Sequence, residues 1–67
     1  MRYRHYKGGI YEWVCEAKLE ANPTVTLVIY RSPEGVTWAR PREVFFEQVM
    51  HAGKWVDRFE RIDQQPE

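Results

Sequence analysis

TVTLVIY, residues 24–30, is the most strand-prone stretch of the chain, because five of its seven side chains are β-branched. Asn22-Pro23 precedes it, and proline disfavours a helical residue before it, so the run is separated from what comes earlier. Ser32-Pro33-Glu34-Gly35 follows as a turn, with proline second and glycine fourth. The sequence therefore predicts a central strand that turns into a second strand over residues 36–40.

The N-terminal side of this run predicts two more strands. Residues 3–6 are strand-compatible, and Gly8-Gly9 then offers the positive φ angles of a tight hairpin turn. From Ile10 to Leu19 the pattern has a period of two, which is typical of a half-buried strand. Strict alternation places four side chains on one face: Tyr11, Trp13, Cys15 and Ala17. We therefore expect Cys15 to be a small hydrophobic member of the core.

The C-terminal third is more ambiguous. Pro41 can open a helix, and the apolar positions of residues 42–50 fit helical spacing about as well as strand alternation. We expect one short helical turn near residues 41–46 and a turn at residues 51–54. A last strand or a clamp across the barrel should follow, supplied by Trp55, Val56, Phe59 and Ile62. The prediction is a mostly β fold, a small SH3-like barrel or roll of five to six short strands. Its single domain is expected to span residues 2–62, with residues 63–67 as a frayed polar tail.

Composition limits the kind of protein this can be. The 67 residues allow one core, and 43% hydrophobic with 15% aromatic residues is too apolar for intrinsic disorder. One cysteine excludes an intramolecular disulfide, and no apolar run approaches a membrane span or a signal peptide, so a cytoplasmic location without membrane contact is expected. The formal net charge is zero, which removes the long-range attraction to polyanions.

The sequence carries no catalytic or metal signature. His5, His51 and Cys15 lack metal-ligand spacing, so no metal or cofactor is predicted. Lys7-Gly8-Gly9 lacks the frame of a phosphate-binding loop and is better explained as a hairpin turn. An enzyme with His5 as general base would need a partner acid or a cavity, and the sequence locates neither.

A cluster of aromatic and basic residues is the best candidate for a site. Trp38 and Arg40 point to one side of their strand, and an indole beside a guanidinium can stack on a ligand while binding an anionic group. The predicted ligand-binding residues are Tyr3, His5, Lys7, Tyr30, Arg31, Trp38 and Arg40. The alternative is structural, with Trp38 in the core and Arg40 paired to a carboxylate.

Several segments in a fixed order also resemble a known family. They are Tyr3-x-His5-Tyr6-Lys7-Gly8, Tyr11, Val28-x-Tyr30-Arg31, Trp38-x-Arg40-Pro41-x-x-x-Phe45, Gly53-Lys54 and Arg58-Phe59. Together they resemble a family of small bacterial proteins, domain of unknown function 1653. The resemblance implies a bacterial origin and a compact β fold, and it brings no activity with it.

Two function classes follow from these observations. The first is a non-enzymatic binding module for an anionic or aromatic ligand, such as a nucleotide or single-stranded nucleic acid. The second is a protein-interaction or self-associating domain that uses an exposed edge strand or a patch including Trp55 and Phe59. Steep salt dependence of binding would favour the first class, and concentration-dependent sedimentation the second.

Overall fold

The computed structural model describes residues 1–62, and the tail predicted at residues 63–67 lies outside them. The described chain is mostly β, which confirms the predicted class, and its one helix coincides with the predicted helical turn. The elements are β1 (Arg2–His5), β2 (Ile10–Leu19), β3 (Asn22–Arg31), β4 (Thr37–Pro41), α1 (Arg42–Phe45), β5 (Gln48–His51), β6 (Lys54–Asp57) and β7 (Phe59–Arg61). No helix within residues 1–62 has the length and apolar character needed to cross a membrane.

Five of the strands form one antiparallel sheet in the order β4-β3-β2-β1-β7, and β5 and β6 form a separate hairpin. In a flat sheet the edge strands β4 and β7 would lie about 19 Å apart. The Arg40 guanidinium of β4 nevertheless lies 5.9 Å from the ring centre of Phe59 in β7. The sheet is therefore rolled, and β4 and β7 are not paired with each other within residues 1–62.

The inner face of the sheet is the face that carries Val28 and Tyr30. The core covers part of this face. The buried hydrophobic residues are Tyr3, Val28, Tyr30, Phe45 and Phe59, with Tyr11 and Trp13 packed against them. Helix α1 places Phe45 over this face, where it is fully buried and stacks on Phe59 with ring centres 4.3 Å apart. A chain of this size has few side chains to bury, and its aromatic residues supply most of the core.

A β-bulge interrupts β2 at Val14. Trp13 lies opposite Tyr30 and Cys15 lies opposite Ile29, so two steps along β2 match one step along β3. A bulge moves every following side chain to the other face of the sheet. The predicted alternation is therefore wrong beyond Trp13, and Cys15 is exposed rather than in the core. Period two assumes an uninterrupted ladder, and the inserted residue has no sequence signal of its own.

Glycine turns set the ends of the strands as predicted. Gly8 and Gly9 have φ values of 105° and 88°, and a Cβ on Gly9 would lie 3.3 Å from Tyr11 Cε1. At the second predicted turn, the Gly35 N–H donates to the Ser32 carbonyl at 2.9 Å. A Cβ on Gly9 would lie 3.8 Å from Pro33 Cγ, so the first turn lies beside the second. His5 at the end of β1 and Ser32 and Glu34 of the second turn line the candidate site.

Candidate ligand site

Strand β4 presents two of the predicted site residues on the inner face. Trp38 lies opposite Tyr30 and Arg40 opposite Val28, and both partners belong to the core. Trp38 is nevertheless 51% exposed, so its indole is not used for core packing. The Arg40 Nε donates a hydrogen bond to the Tyr30 hydroxyl at 3.2 Å. This bond and the Phe59 ring beneath the guanidinium hold Arg40 in one orientation.

Strand β1 ends at His5, which lies opposite Phe59 on the neighbouring β7. The imidazole is half-buried and packs edge-on against Phe59, with ring centres 5.0 Å apart. Its Nδ1 accepts a hydrogen bond from the Lys7 backbone N–H at 3.1 Å. In the neutral ring the proton is therefore on Nε2, and the one imidazole lone pair is already engaged.

These residues meet in a depression of about 250 Å³. We call it the Trp38 depression, and its lining residues are His5, Tyr11, Tyr30, Ser32, Glu34, Trp38, Arg40 and Phe59. His5, Trp38 and Arg40, which are far apart in the sequence, thus share one concave surface. Trp38 is exposed there, which disfavours the structural alternative for this residue.

The other predicted site residues take different positions. Tyr30 forms the floor of the Trp38 depression and is only 4% exposed, whereas Tyr3 is buried beside Phe45 and does not line it. Arg31 follows Tyr30 in the strand and therefore projects from the opposite face. Lys7 is exposed and lines a neighbouring surface.

That neighbouring surface is a larger depression of about 660 Å³, which we call the Trp55 depression. His5 and Lys7 line it on one side, and Trp55, which is 65% exposed, lines it on the other. His5 borders both depressions. Phe59, by contrast, is buried, so it does not share an exposed patch with Trp55.

Sequence reasoning missed four residues of the Trp38 depression, and it places one of them, Phe59, in a patch with Trp55 instead. Ser32 and Glu34 belong to the turn before β4 and were interpreted only as turn residues, and Tyr11 only as a core residue. The signal was present in the topology, since the β3–β4 turn must lie at the same end of the sheet as Tyr30. The depth of the depression depends on the roll of the sheet, which the sequence does not encode locally.

The electrostatic surroundings of His5 are positive. Burial lowers the pKa of His5 below its ordinary value, and the charges of Arg40, Arg58 and Lys7 lower it further. Arg58 is bound to Glu47 at 3.0 Å, but its Nε is buried and has no hydrogen-bond partner. His5 is therefore neutral near pH 7, and an anion placed among these cations would meet favourable charge.

The arrangement suits binding better than proton transfer. A general base needs a free lone pair near the substrate, and the His5 lone pair already accepts the Lys7 N–H. Among residues 1–62 there is no group of three or more His, Cys, Asp or Glu side chains that could hold a metal ion. An exposed indole, an oriented guanidinium and a carboxylate on one concave surface can instead stack on a ring and bind its polar groups.

A family model matches residues 1–61, nearly the whole chain. The chain belongs to the family described as protein of unknown function DUF1653. This confirms the resemblance inferred from the sequence segments. No curated protein and no solved structure matches the chain. Because the description of DUF1653 assigns no activity, a function for this member has to be argued from its own surface.

Proposed function

We propose that this DUF1653 domain is a non-enzymatic binding module that takes a nucleotide or a short single-stranded nucleic acid in the Trp38 depression. The observation that carries the proposal is that Trp38, Arg40 and His5 line one depression, with Trp38 half exposed and Arg40 held in place. The proposal includes a cytoplasmic location, which is consistent with the absence of an intramolecular disulfide in a chain with one cysteine.

Trp38 supplies the stacking surface. A base stacked on an aromatic side chain contributes about 1–3 kcal/mol to binding, whatever its identity. Small domains bury tryptophan when they can, because each indole carries a large apolar area. An indole that remains half exposed beside the core is therefore better explained by a ligand than by stability.

Arg40 and its neighbours supply the positive charge for a phosphate. The Tyr30 hydroxyl occupies the Nε–H of Arg40, which is one of the five N–H donors of a guanidinium. Lys7 and Arg58 are close enough to His5 to lower its pKa, so a phosphate near His5 would lie within reach of several cations.

Glu34 makes the depression more selective than a simple anion site. Its carboxylate lines the same surface as Arg40 and would repel a free phosphate that lay beside it. A carboxylate can accept hydrogen bonds from the amino group of a base, as in contacts to cytosine N4. The combination of Trp38, Arg40 and Glu34 therefore fits a nucleobase with an attached phosphate better than inorganic phosphate.

The test is an NMR titration at low salt with nucleoside monophosphates and with short single-stranded oligonucleotides. We expect shifts at His5, Trp38 and Arg40, and a rise in the His5 pKa when a bound phosphate offsets the neighbouring positive charge. Trp38→Ala should weaken oligonucleotide binding about 5- to 150-fold, as loss of one stacked base implies. Binding should also weaken as salt is raised.

Matched variants separate the site from general effects. Arg40→Gln should weaken binding, whereas Arg31→Gln removes the same charge from the opposite face and should leave the affinity unchanged. Phe46→Ala removes an aromatic side chain that is 41% exposed and outside both depressions, and it is the control for Trp38→Ala. Absence of shifts at millimolar ligand in low salt, or equal losses in Arg40→Gln and Arg31→Gln, would rule the proposal out.

A further inference from the structure

The outer face of the sheet carries a continuous apolar surface. Because of the bulge, Cys15 and Ala17 join alternate residues of β3 and β4 on the face opposite Val28 and Tyr30. Seven apolar side chains lie there on three strands, three of them exposed and four half-buried. We call this set the apolar end of the outer face: Cys15, Ala17, Val25, Leu27, Ile29, Ala39 and Pro41.

No described element covers the apolar end. Helix α1 packs on the inner face through Phe45. Val14 and Leu19, which border the apolar end on β2, are 44% and 41% exposed. A sheet face in water normally carries polar side chains, and contiguous exposed apolar patches mark interaction sites. This surface therefore needs a partner.

Much of the rest of the outer face is charged, with both signs in adjacent positions and with Ile10 and Thr37 beside the charges. Arg31 lies opposite Glu12, which in turn lies opposite Arg2 on the next strand. Arg4 similarly lies opposite Glu60. A surface with both signs in adjacent positions can be complementary to a copy of itself, and the zero net charge of the chain adds no repulsion between copies.

We propose that the outer face is the interface of a homodimer, in which two sheets pack face to face with their apolar ends in contact. Sheets packed in this way lie about 10 Å apart with their strands about 30° from parallel. The five strands contain 32 residues, and each residue occupies about 4.8 Å by about 3.3 Å of the sheet, so the outer face presents about 500 Å² per copy. Two copies bury about 1,000 Å², which is the minimum for a specific interface, so the dimer is weak and is mostly dissociated at a few micromolar.

This interface is independent of the proposed ligand site, which lies on the inner face. Two Trp38 depressions would point away from each other in the dimer and stay open. It also differs from edge-strand pairing, in which β4 or β7 would extend the sheet and the apolar end would stay exposed.

The experiment is sedimentation equilibrium from a few micromolar to about one millimolar. The average mass of the unmodified chain should rise from 8.1 kDa towards twice that value. Ala17→Glu places a charge in the centre of the apolar end and should hold the mass at the monomer value throughout. Met50→Glu changes an apolar residue that is 56% exposed on the β5–β6 hairpin, and it should dimerise like the unmodified chain.

A second measurement needs no variant. Cys15 lies in the apolar end, so its reaction with a thiol reagent should slow as protein concentration rises, and it should not slow in Ala17→Glu. If the average mass stays at that of one chain up to about one millimolar, the proposal is overturned and the outer face is left for a different partner. Dimers in which Cys15 stays fully reactive overturn the proposal in favour of another surface. Equal effects of Ala17→Glu and Met50→Glu on the average mass do the same.

Discussion

The imidazole of His5 lies between the Trp38 depression and the Trp55 depression and among three cationic side chains. Because of this position, it reports on both depressions. Burial and the charges of Arg40, Arg58 and Lys7 all disfavour its protonated form. Protonation of Nδ1 would also displace the hydrogen bond from the Lys7 N–H. The ring therefore contributes to the pH dependence of folding without any ligand present.

We predict that the free energy of unfolding falls as the pH falls below about 6.5, because the unfolded chain then binds a proton that the folded chain resists. The full stability is present above the unfolded value of 6.5, and the loss is complete once the pH is below the lowered folded pKa. For one proton, the slope of the free energy of unfolding against pH is at most about 1.4 kcal/mol per pH unit. Urea denaturation between pH 5.5 and 7.5 measures it.

His5→Gln and His51→Gln are the paired variants for this measurement. Glutamine at position 5 keeps an acceptor for the Lys7 N–H and does not titrate, so the slope should decrease in His5→Gln. His51 is exposed at the end of β5, and its replacement should leave the slope in place. The same slope in unmodified chain and His5→Gln would contradict the assignment.

For single residues, the sequence predicts the residues at the centre of the site but not all the residues that line it. Trp38 and Arg40 were predicted to share a side of one strand, and strand alternation is enough to establish that. Tyr3 shares the inner face, but α1 covers that part of it, and the sequence does not show which part a helix covers. Arg31 projects from the other face, although its neighbour Tyr30 lines the depression.

The β5–β6 hairpin contains a local conflict between sequence and backbone. Its two-residue turn, Ala52-Gly53, has φ values of 53° and 77°, as a type I′ turn requires. Glycine adopts this conformation at little cost, but an L-residue with a Cβ pays about 1–2 kcal/mol, and asparagine tolerates it best. Ala52 is the only non-glycine residue within residues 1–62 with a positive φ.

We predict that Ala52→Asn raises the free energy of unfolding by about 1 kcal/mol, since Asn-Gly is the preferred pair for this turn. Thermal and urea denaturation measure the change. Ala21→Asn is the control, because Ala21 also lies in a hairpin turn but has no positive φ, and its stability should change little. Equal gains in both variants would show that the backbone conformation at Ala52 is not the cause.

Element prediction succeeded where turn residues were explicit and failed where the ladder was irregular. Pro41 and the glycine turns gave the ends of the elements, and the short helix was expected although the apolar pattern of residues 42–50 allowed a longer one. The hairpin over residues 48–57 then uses the remaining apolar positions as strand. The bulge at Val14 reversed the faces predicted for Cys15 and Ala17, because an extra residue leaves composition and local propensity unchanged. The last strand predicted from Trp55 is also two strands, β6 and β7, in different sheets, so the described residues contain seven strands rather than five or six.

Stability is unevenly distributed over the whole molecule. Val28 and Tyr30 are the buried side chains of β3, and residues 14–27 contain none. The hairpin over these residues is held mainly by cross-strand hydrogen bonds and small contacts, such as the Lys18 Nζ bond to Thr26 Oγ1 at 3.0 Å. Segments with few buried contacts open locally at low free energy.

We predict that hydrogen-bonded amides of residues 16–26 exchange with solvent much faster than those of Val28 and Tyr30 in the core. Native-state hydrogen exchange at a few micromolar protein, where the proposed dimer is dissociated, measures this difference. Raising the concentration should slow exchange in the hairpin if the outer face becomes covered. Uniform protection along β3 in dilute solution would contradict the uneven distribution.

The extra residue at position 14 also affects how this chain should be compared with its relatives. If a relative lacks this residue, the alignment gap belongs at Val14, because a gap placed at the end of β2 instead would match inward with outward positions between the two points. In a relative without the insertion, the counterpart of Cys15 would follow that of Trp13 directly and still face outward, and the counterpart of Glu16 would keep its place on the face of Arg42. The bulge therefore lets the chain gain or lose one residue at position 14 while the inner and outer faces of the sheet keep their other side chains.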